Sequence, residues 1–327
     1  MNETLERVAL EGVRIEGICA CVPKNAARNE AKVAEATGIV TRRIAAAGTT
    51  VVDLCVKAAE QVLSDTSSKP EEFGAILCVS FTQRDRMPAA AVQAQARLGL
   101  PKGIIAFDVS LACSGWGYGL YLAGLLARET GKKVMLLDGD VQSAFTGSDA
   151  STAPLLSDGG TATVIENCSD CSDCSIVRLP WQFGFVADGE KGGALRLSHG
   201  ETIKMDGFGV FRFVATDVVA YIKGFLTSAN RTIEQSEQSN NRTMTFVPHQ
   251  PNAYMVRQLA KSVGIEEART AISCDVLGNL SSASVPATIA WKGVRGPILF
   301  AGFGGGLSVS VGLIGLDDGC KLSVLEV

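Results

Sequence analysis

Phe107-Asp108-Val109-Ser110-Leu111-Ala112-Cys113-Ser114-Gly115-Trp116-Gly117 is the stretch that decides how this chain is read. The run before it, Gly103 to Phe107, is apolar like a buried strand. The run after it, Gly117 to Arg128, carries small and apolar residues on most faces, as a packed helix does. A cysteine at a strand-to-helix turn has its sulfur near the positive end of the helix, where the field and the free N–H groups favour thiolate over thiol. Glycines at 115, 117 and 119 let other backbone approach closely. The plainer alternative is that Cys113 only fills space, since cysteine is among the most buried residue types and is mostly inert. The chain has ten cysteines, so position alone leaves both readings open.

Two further segments bear on the choice. Thr243 to Asn252 reads as a short apolar strand ending in Val247-Pro248-His249-Gln250-Pro251-Asn252, followed by a helix over Ala253 to Val263. His249 is one of only two histidines, and a strand end beside a helix start suits a neutral imidazole that donates a hydrogen bond. Val276 to Pro286 reads Val-Leu-Gly-Asn-Leu-Ser-Ser-Ala-Ser-Val-Pro, in which Asn279 either caps a turn or aims its amide into a cavity.

Together, Ala112-Cys113-Ser114-Gly115, the His249 segment and the Asn279 segment resemble the active-site motifs of the β-ketoacyl-acyl-carrier-protein synthase III family, within the thiolase-like condensing enzymes. Gly302-Phe303-Gly304-Gly305-Gly306-Leu307 resembles its C-terminal glycine turn, and Ser157 to Ala162 its Gly-Asp-Gly-Ala turn. The resemblance runs in order from about Gly12 to Leu316. It implies an α/β, five-layered thiolase-like fold of two duplicated halves and a homodimer joined through the first half. It also implies acylation of Cys113, followed by decarboxylative Claisen condensation with a malonyl-type thioester. His249 and Asn279 would bind the enolate oxygen. Backbone N–H groups of Cys113 and Gly305 would form the oxyanion hole, and Phe303 would wall the pocket. Two other readings stay open: an acyltransferase passing the acyl group from Cys113 to a non-malonyl nucleophile, and a non-catalytic partner subunit.

The departures from the family pattern are specific. A Trp and an Arg that clamp the coenzyme A adenine in close members are absent from Ala31 to Ile39, and Ala150 and Tyr254 stand where basic residues are usual. Arg212 survives, and with Arg257 it is expected to meet an acyl-carrier protein. The loop Phe81 to Pro88 lies where a dimer partner closes the acyl pocket. Met87 is its pocket residue, and Arg84 and Arg86 either meet a carboxylated acyl group or pair with Asp85 on the surface.

The rest of the chain bounds this reading. A length of 327 residues with strands alternating with helices argues for two α/β halves, divided as 1–168 and 175–327, with mostly parallel strands. A net charge of −4 and no basic run argue against nucleic acid. Gly296 to Leu316 is uncharged, but its Gly-Gly-Gly turn and its serines alternating with valines read as strands rather than a membrane span. The polar start Met1 to Arg7 is not a signal peptide, so reduced cysteines in the cytoplasm are expected. Cys168, Cys171 and Cys174 have metal-like spacing, but a fourth ligand is not evident nearby. The segment is read as an exposed connection, and neither metal nor cofactor is expected. The polar stretch Ser228 to Arg242 is read as a surface connection within the second half.

Overall fold

The computed structural model describes residues 6–147, 151–168, 180–240 and 243–327. Two sheets carry the fold. The first has six strands in the order Lys321–Glu326, Val13–Val22, Asp158–Asn167, Lys133–Val141, Phe73–Val79, Ile105–Val109. The second has five, in the order Arg7–Leu10, Trp181–Ala187, Ser308–Leu316, Gly296–Gly304, Thr245–Pro248. Phe73–Val79, Gly296–Gly304 and Ser308–Leu316 are buried along their whole length, which is why they read as unbroken apolar and small-residue runs.

Helices fill three layers around these sheets. Val51–Thr66 and Ala90–Arg97 cover the outer face of the first sheet. Gly115–Thr130 and Ser284–Lys292 lie between the sheets. Val219–Asn240 and Ala253–Val263 cover the outer face of the second. The result is helix, sheet, helix, sheet, helix, the five-layered α/β arrangement. Local chemistry sets the helix ends. Thr50 and Asp53 form a reciprocal capping box at Val51, and the Asn252 side chain accepts from the Met255 N–H at 2.8 Å to start Ala253–Val263.

The central helix Gly115–Thr130 is squeezed from both sides. A Cβ on Gly115 would sit 2.4 Å from Val79 of the first sheet, and one on Gly117 2.4 Å from Ser310 of the second. The two glycines therefore allow this helix, with Cys113 just before it, to lie between the sheets. The two sheets also exchange terminal strands: Arg7–Leu10 pairs with Trp181–Ala187, and Lys321–Glu326 pairs with Val13–Val22.

Several sequence expectations are corrected. The strands are mixed rather than mostly parallel, because tight hairpins such as Gly296–Gly304 with Ser308–Leu316 force antiparallel pairing. The expected turn at Ser157 to Ala162 is the start of the strand Asp158–Asn167. Its Gly160 lets the backbone of Leu54 and Cys55 pack against it. Ala271 to Cys274 reads as a strand from sequence but is not one: Thr270, just before it, makes an isolated bridge with Phe246, and a helical turn follows at Cys274–Leu277. The run Gly209 to Ala229 reads as a helix from sequence, and that helix continues through the polar stretch, expected as a surface connection, to Asn240, after a π turn at Val214–Val218. The run 175–179, which reads as a strand from sequence, and Ala150, Cys171 and Cys174 lie outside the described residues.

Candidate functional site

Cys113 sits in the turn between the strand Ile105–Val109 and the helix Gly115–Thr130. Three contacts hold this turn. The Gly115 N–H donates to the Ala112 carbonyl at 2.7 Å, Ser310 Oγ donates to the Ser114 carbonyl at 2.8 Å, and the Ser114 and Ser308 hydroxyls meet at 2.8 Å. The second sheet thus grips the residue after the nucleophile. Gly304 passes over the sulfur itself: a Cβ there would lie 2.9 Å from Cys113 Sγ.

His249 follows the strand Thr245–Pro248, and its N–H continues the ladder to the Ala301 carbonyl at 2.7 Å. Gln250 braces the turn, donating to the carbonyls of Pro248 and Ala271 at 2.8 and 3.1 Å. The imidazole is 3% exposed, with Phe303 edge-on at 5.4 Å between ring centroids. Burial pushes its pKa down to about 3, outweighing the hydrogen bond with the Ser281 backbone, so the ring is neutral at ordinary pH.

Asn279 follows Gly278, whose φ of 68° and whose approach to Ser157 exclude a side chain. The Asn279 N–H donates to the Leu155 carbonyl at 3.1 Å, and its own carbonyl accepts from the Ser157 N–H and from Gln142 Nε2 at 2.9 and 2.8 Å. Its side-chain Oδ1 accepts from the Ser281 N–H at 2.9 Å, which leaves the amide NH2 as the free donor.

Cys113, His249, Asn279 and the Gly304–Gly306 turn line one cavity of about 560 Å3. Its walls are mainly apolar: Phe81, Leu111, Leu155, Leu156, Leu195, Ile203 and Met205 among them. Backbone N–H groups of Cys113 and Gly305 face the sulfur, and the Ser281 hydroxyl donates to it at 3.9 Å. Burial nevertheless pushes the thiol up to about 11, with the Asp140 charge adding to it. The expectation of a resting thiolate is therefore corrected, because desolvation outweighs the nearby donors.

Other expected site residues fall elsewhere. Phe303 packs behind His249 in the core rather than on the cavity wall. Met87 stands 84% exposed, away from this cavity. Arg84 pairs with Asp85 at 3.3 Å, as the surface reading had it. Arg212 is exposed on the helix Gly207–Phe213, whose Gly207, Val210 and Phe211 line the cavity. Arg257 is tied to Glu267 at 2.8 Å.

Sequence reading missed Ser281, Arg196 and Asp140. Arg196 lines the cavity from the two-residue ribbon strand Leu195–Arg196. Asp140 lies fully buried behind the site, in the run Val134-Met135-Leu136-Leu137-Asp138-Gly139-Asp140-Val141. Two carboxylates in an otherwise apolar strand were the signal available for it.

Fold and cavity together are those of a thiolase-like protein. The family described as 3-oxoacyl-[acyl-carrier-protein (ACP)] synthase III matches residues 107–181, and its C-terminal counterpart matches residues 233–316. A β-ketoacyl-[acyl-carrier-protein] synthase III of Aquifex aeolicus is 28% identical over 315 residues, covering 91% of this chain and 97% of that one. The crystal structure of a 3-oxoacyl-(acyl-carrier protein) synthase from Burkholderia xenovorans superposes with a TM-score of 0.87 at 28% identity over 99% of both chains. A priming β-ketosynthase from the R1128 polyketide biosynthetic pathway gives 0.79 at 25% identity, over 94% of this chain and 97% of that one. These matches support a member of the β-ketoacyl-acyl-carrier-protein synthase III-like family.

Proposed function

We propose that this protein is an acyl-transferring condensing enzyme. Cys113 accepts an acyl group from a thioester, and the acyl-enzyme then condenses with a malonyl-type thioester that loses carbon dioxide. The observation that carries the reading is the meeting of Cys113, a neutral His249 and the free Asn279 amide in one largely apolar cavity.

Each group has a role its geometry suits. The sulfur of Cys113 attacks the thioester carbon, and the N–H groups of Cys113 and Gly305 receive the oxyanion. Loss of carbon dioxide from the second donor places negative charge on its thioester oxygen. A neutral imidazole N–H and a carboxamide NH2 stabilise that charge without carrying charge of their own. The apolar walls accommodate an acyl chain and raise the strength of every polar contact within.

The donor is proposed to arrive on an acyl-carrier protein or coenzyme A, met by Arg212 and Arg257. The protein is proposed to act as a cytoplasmic homodimer, with the exposed Met87 directed at its partner. Its halves are proposed to divide at 168 and 175. No helix among the described residues is long and apolar enough to cross a membrane.

The test is intact-mass screening against a panel of acyl-carrier and acyl-coenzyme A thioesters, followed by measurement of carbon dioxide release with a malonyl thioester. Acylation followed by release is expected. Acylation with transfer to another nucleophile and no release would replace condensation with simple acyl transfer.

A further inference from the structure

The cavity faces a thiol whose proton has no obvious destination. His249 is held near 3 by burial and is a poor base at neutral pH. Behind Cys113, however, stands a second layer of polar groups in an otherwise apolar core. Ser281 has φ 56°, one of two non-glycine residues with positive φ among those described. A side chain in this region is disfavoured and persists where its surroundings require it. Ser281 uses both ends: its N–H fixes Asn279, and its hydroxyl donates to Cys113 Sγ at 3.9 Å.

Behind Ser281 is Asp140. All four of its well-formed hydrogen bonds fall on Oδ1: from Ser80 Oγ at 2.9 Å, the Phe81 N–H at 3.0 Å, the Thr82 N–H at 3.2 Å and Thr82 Oγ1 at 2.9 Å. Oδ2 is buried and carries none. A buried carboxylate oxygen left bare is costly, and it calls for an explanation. The Ser281 hydroxyl also interacts with this carboxylate, and burial sets Asp140 at about 7, close to the value a base working near neutrality requires. The titratable groups around Asp140 are Cys113 and Asp138. Asp138 accepts from the Ser282 hydroxyl on Oδ1, and its own Oδ2 is likewise buried without a partner.

We propose that Ser281 and Asp140 form a proton relay behind Cys113. The proposal rests on the reading of Cys113 as the acyl-accepting nucleophile. The Ser281 hydroxyl first turns its proton from Cys113 toward Asp140 Oδ2; as the Cys113 S–H bond breaks, the thiol proton passes to Ser281 Oγ, and the proton Ser281 held passes to Asp140 Oδ2. The sulfur electron pair attacks the thioester carbon, and the carbonyl π pair moves onto oxygen. When the intermediate collapses, the bond to the donor sulfur breaks. The departing thiolate recovers the proton from Asp140 through the same hydroxyl. One thiol and one thioester give one thiol and one thioester, and Asp140 ends ionised as it began. Ser281 touches the reacting sulfur; Asp140 acts through it.

Iodoacetamide alkylation of Cys113, followed by peptide mass across pH 6–10, tests this without any acyl donor. The variants are Asp140→Asn, which keeps the oxygen that accepts four bonds, and Ser281→Gly, which suits φ 56° and keeps the N–H to Asn279. The relay predicts alkylation at pH 7 slower on the order of tenfold or more in both variants, with the gap closing at high pH as hydroxide takes over. A purely electrostatic Asp140 predicts the opposite, because removing a negative charge beside the thiol lowers its pKa and speeds alkylation. Alkylation at pH 7 that is unchanged or faster in Asp140→Asn, or unchanged in Ser281→Gly, overturns the relay. Acylation of Cys113 in the thioester screen is read separately, so the relay and the condensing function can fail independently.

Discussion

Gly304 lies against Cys113 so closely that a Cβ at 304 would stand 2.8 Å from Cys113 Cβ and 2.9 Å from its sulfur. The second sheet therefore roofs the nucleophile with bare backbone and leaves the sulfur open only toward the cavity. Gly304→Ala is expected to displace the sulfur and slow acylation of Cys113 on the order of a hundredfold, since misplacement of a reacting group by about 1 Å has that scale of effect. A time course by intact mass, beside a circular-dichroism check of folding, measures this. A folded variant that acylates at the parent rate would refute the steric role.

His249→Ala and Asn279→Ala are expected to retain acylation and lose decarboxylation. Both donors are proposed to serve the enolate oxygen rather than the first thioester exchange, and losing one such donor costs on the order of a hundredfold or more. Carbon dioxide release from pre-acylated protein is the readout. Release near the parent rate in either variant would remove that residue from the assigned role.

Asp140 predicts a pH-dependent stability. Its folded pKa, about 7, lies above the ordinary carboxylate value of 3.8 because burial disfavours the charged form. A raised folded pKa gives stability that is fully present below the unfolded value and is lost as pH rises through the folded one. Asp140→Asn, neutral throughout, should thus melt above the parent at pH 8, with the difference shrinking toward pH 4. A difference in Tm that does not vary with pH would show that Asp140 carries no such penalty.

Acyl donors on a carrier protein are expected to outperform the same acyl group on coenzyme A. The adenine clamp is missing from Ala31 to Ile39, and Tyr254 is an exposed aromatic where a basic residue is usual. Arg212 is exposed beside the cavity mouth, whereas Arg257 is already engaged by Glu267. Arg212→Ala should therefore slow carrier-dependent acylation more than Arg257→Ala, and most at low salt. Equal rates from both donors, with no effect of Arg212→Ala, would point to a rearranged coenzyme A site instead.

Much of this architecture was legible in the chain. The helix Ala253–Val263 falls where its apolar spacing puts it, because Asn252 and Gly264 mark its ends. Cys113 precedes Gly115, His249 follows Pro248 and Asn279 follows Gly278, so each carries a local signal in glycine or proline. What escaped was set by contacts distant in sequence. Residues 158–167 pair with both Val13–Val22 and Lys133–Val141, and that double pairing overrides the turn preference of Asp158-Gly159-Gly160. The polar run after Ala229 lacks an apolar stripe, yet it continues a helix already nucleated and packed. The resting state of Cys113 was misjudged for a similar reason. Helix-end donors are local and readable, whereas the desolvation that outweighs them comes from both sheets closing over the sulfur.

The central claim is that Cys113 alone carries the acyl group. Among the described residues its sulfur is the only cysteine sulfur that the cavity presents, and Cys19, Cys21, Cys55, Cys78, Cys168, Cys274 and Cys320 are buried. The direct measurement is incubation with a competent acyl thioester, followed by peptide mass mapping of the parent and of Cys113→Ala. The account predicts one adduct, on the peptide containing Cys113, and none in the variant. An adduct on another cysteine, or one that persists in Cys113→Ala, would contradict it.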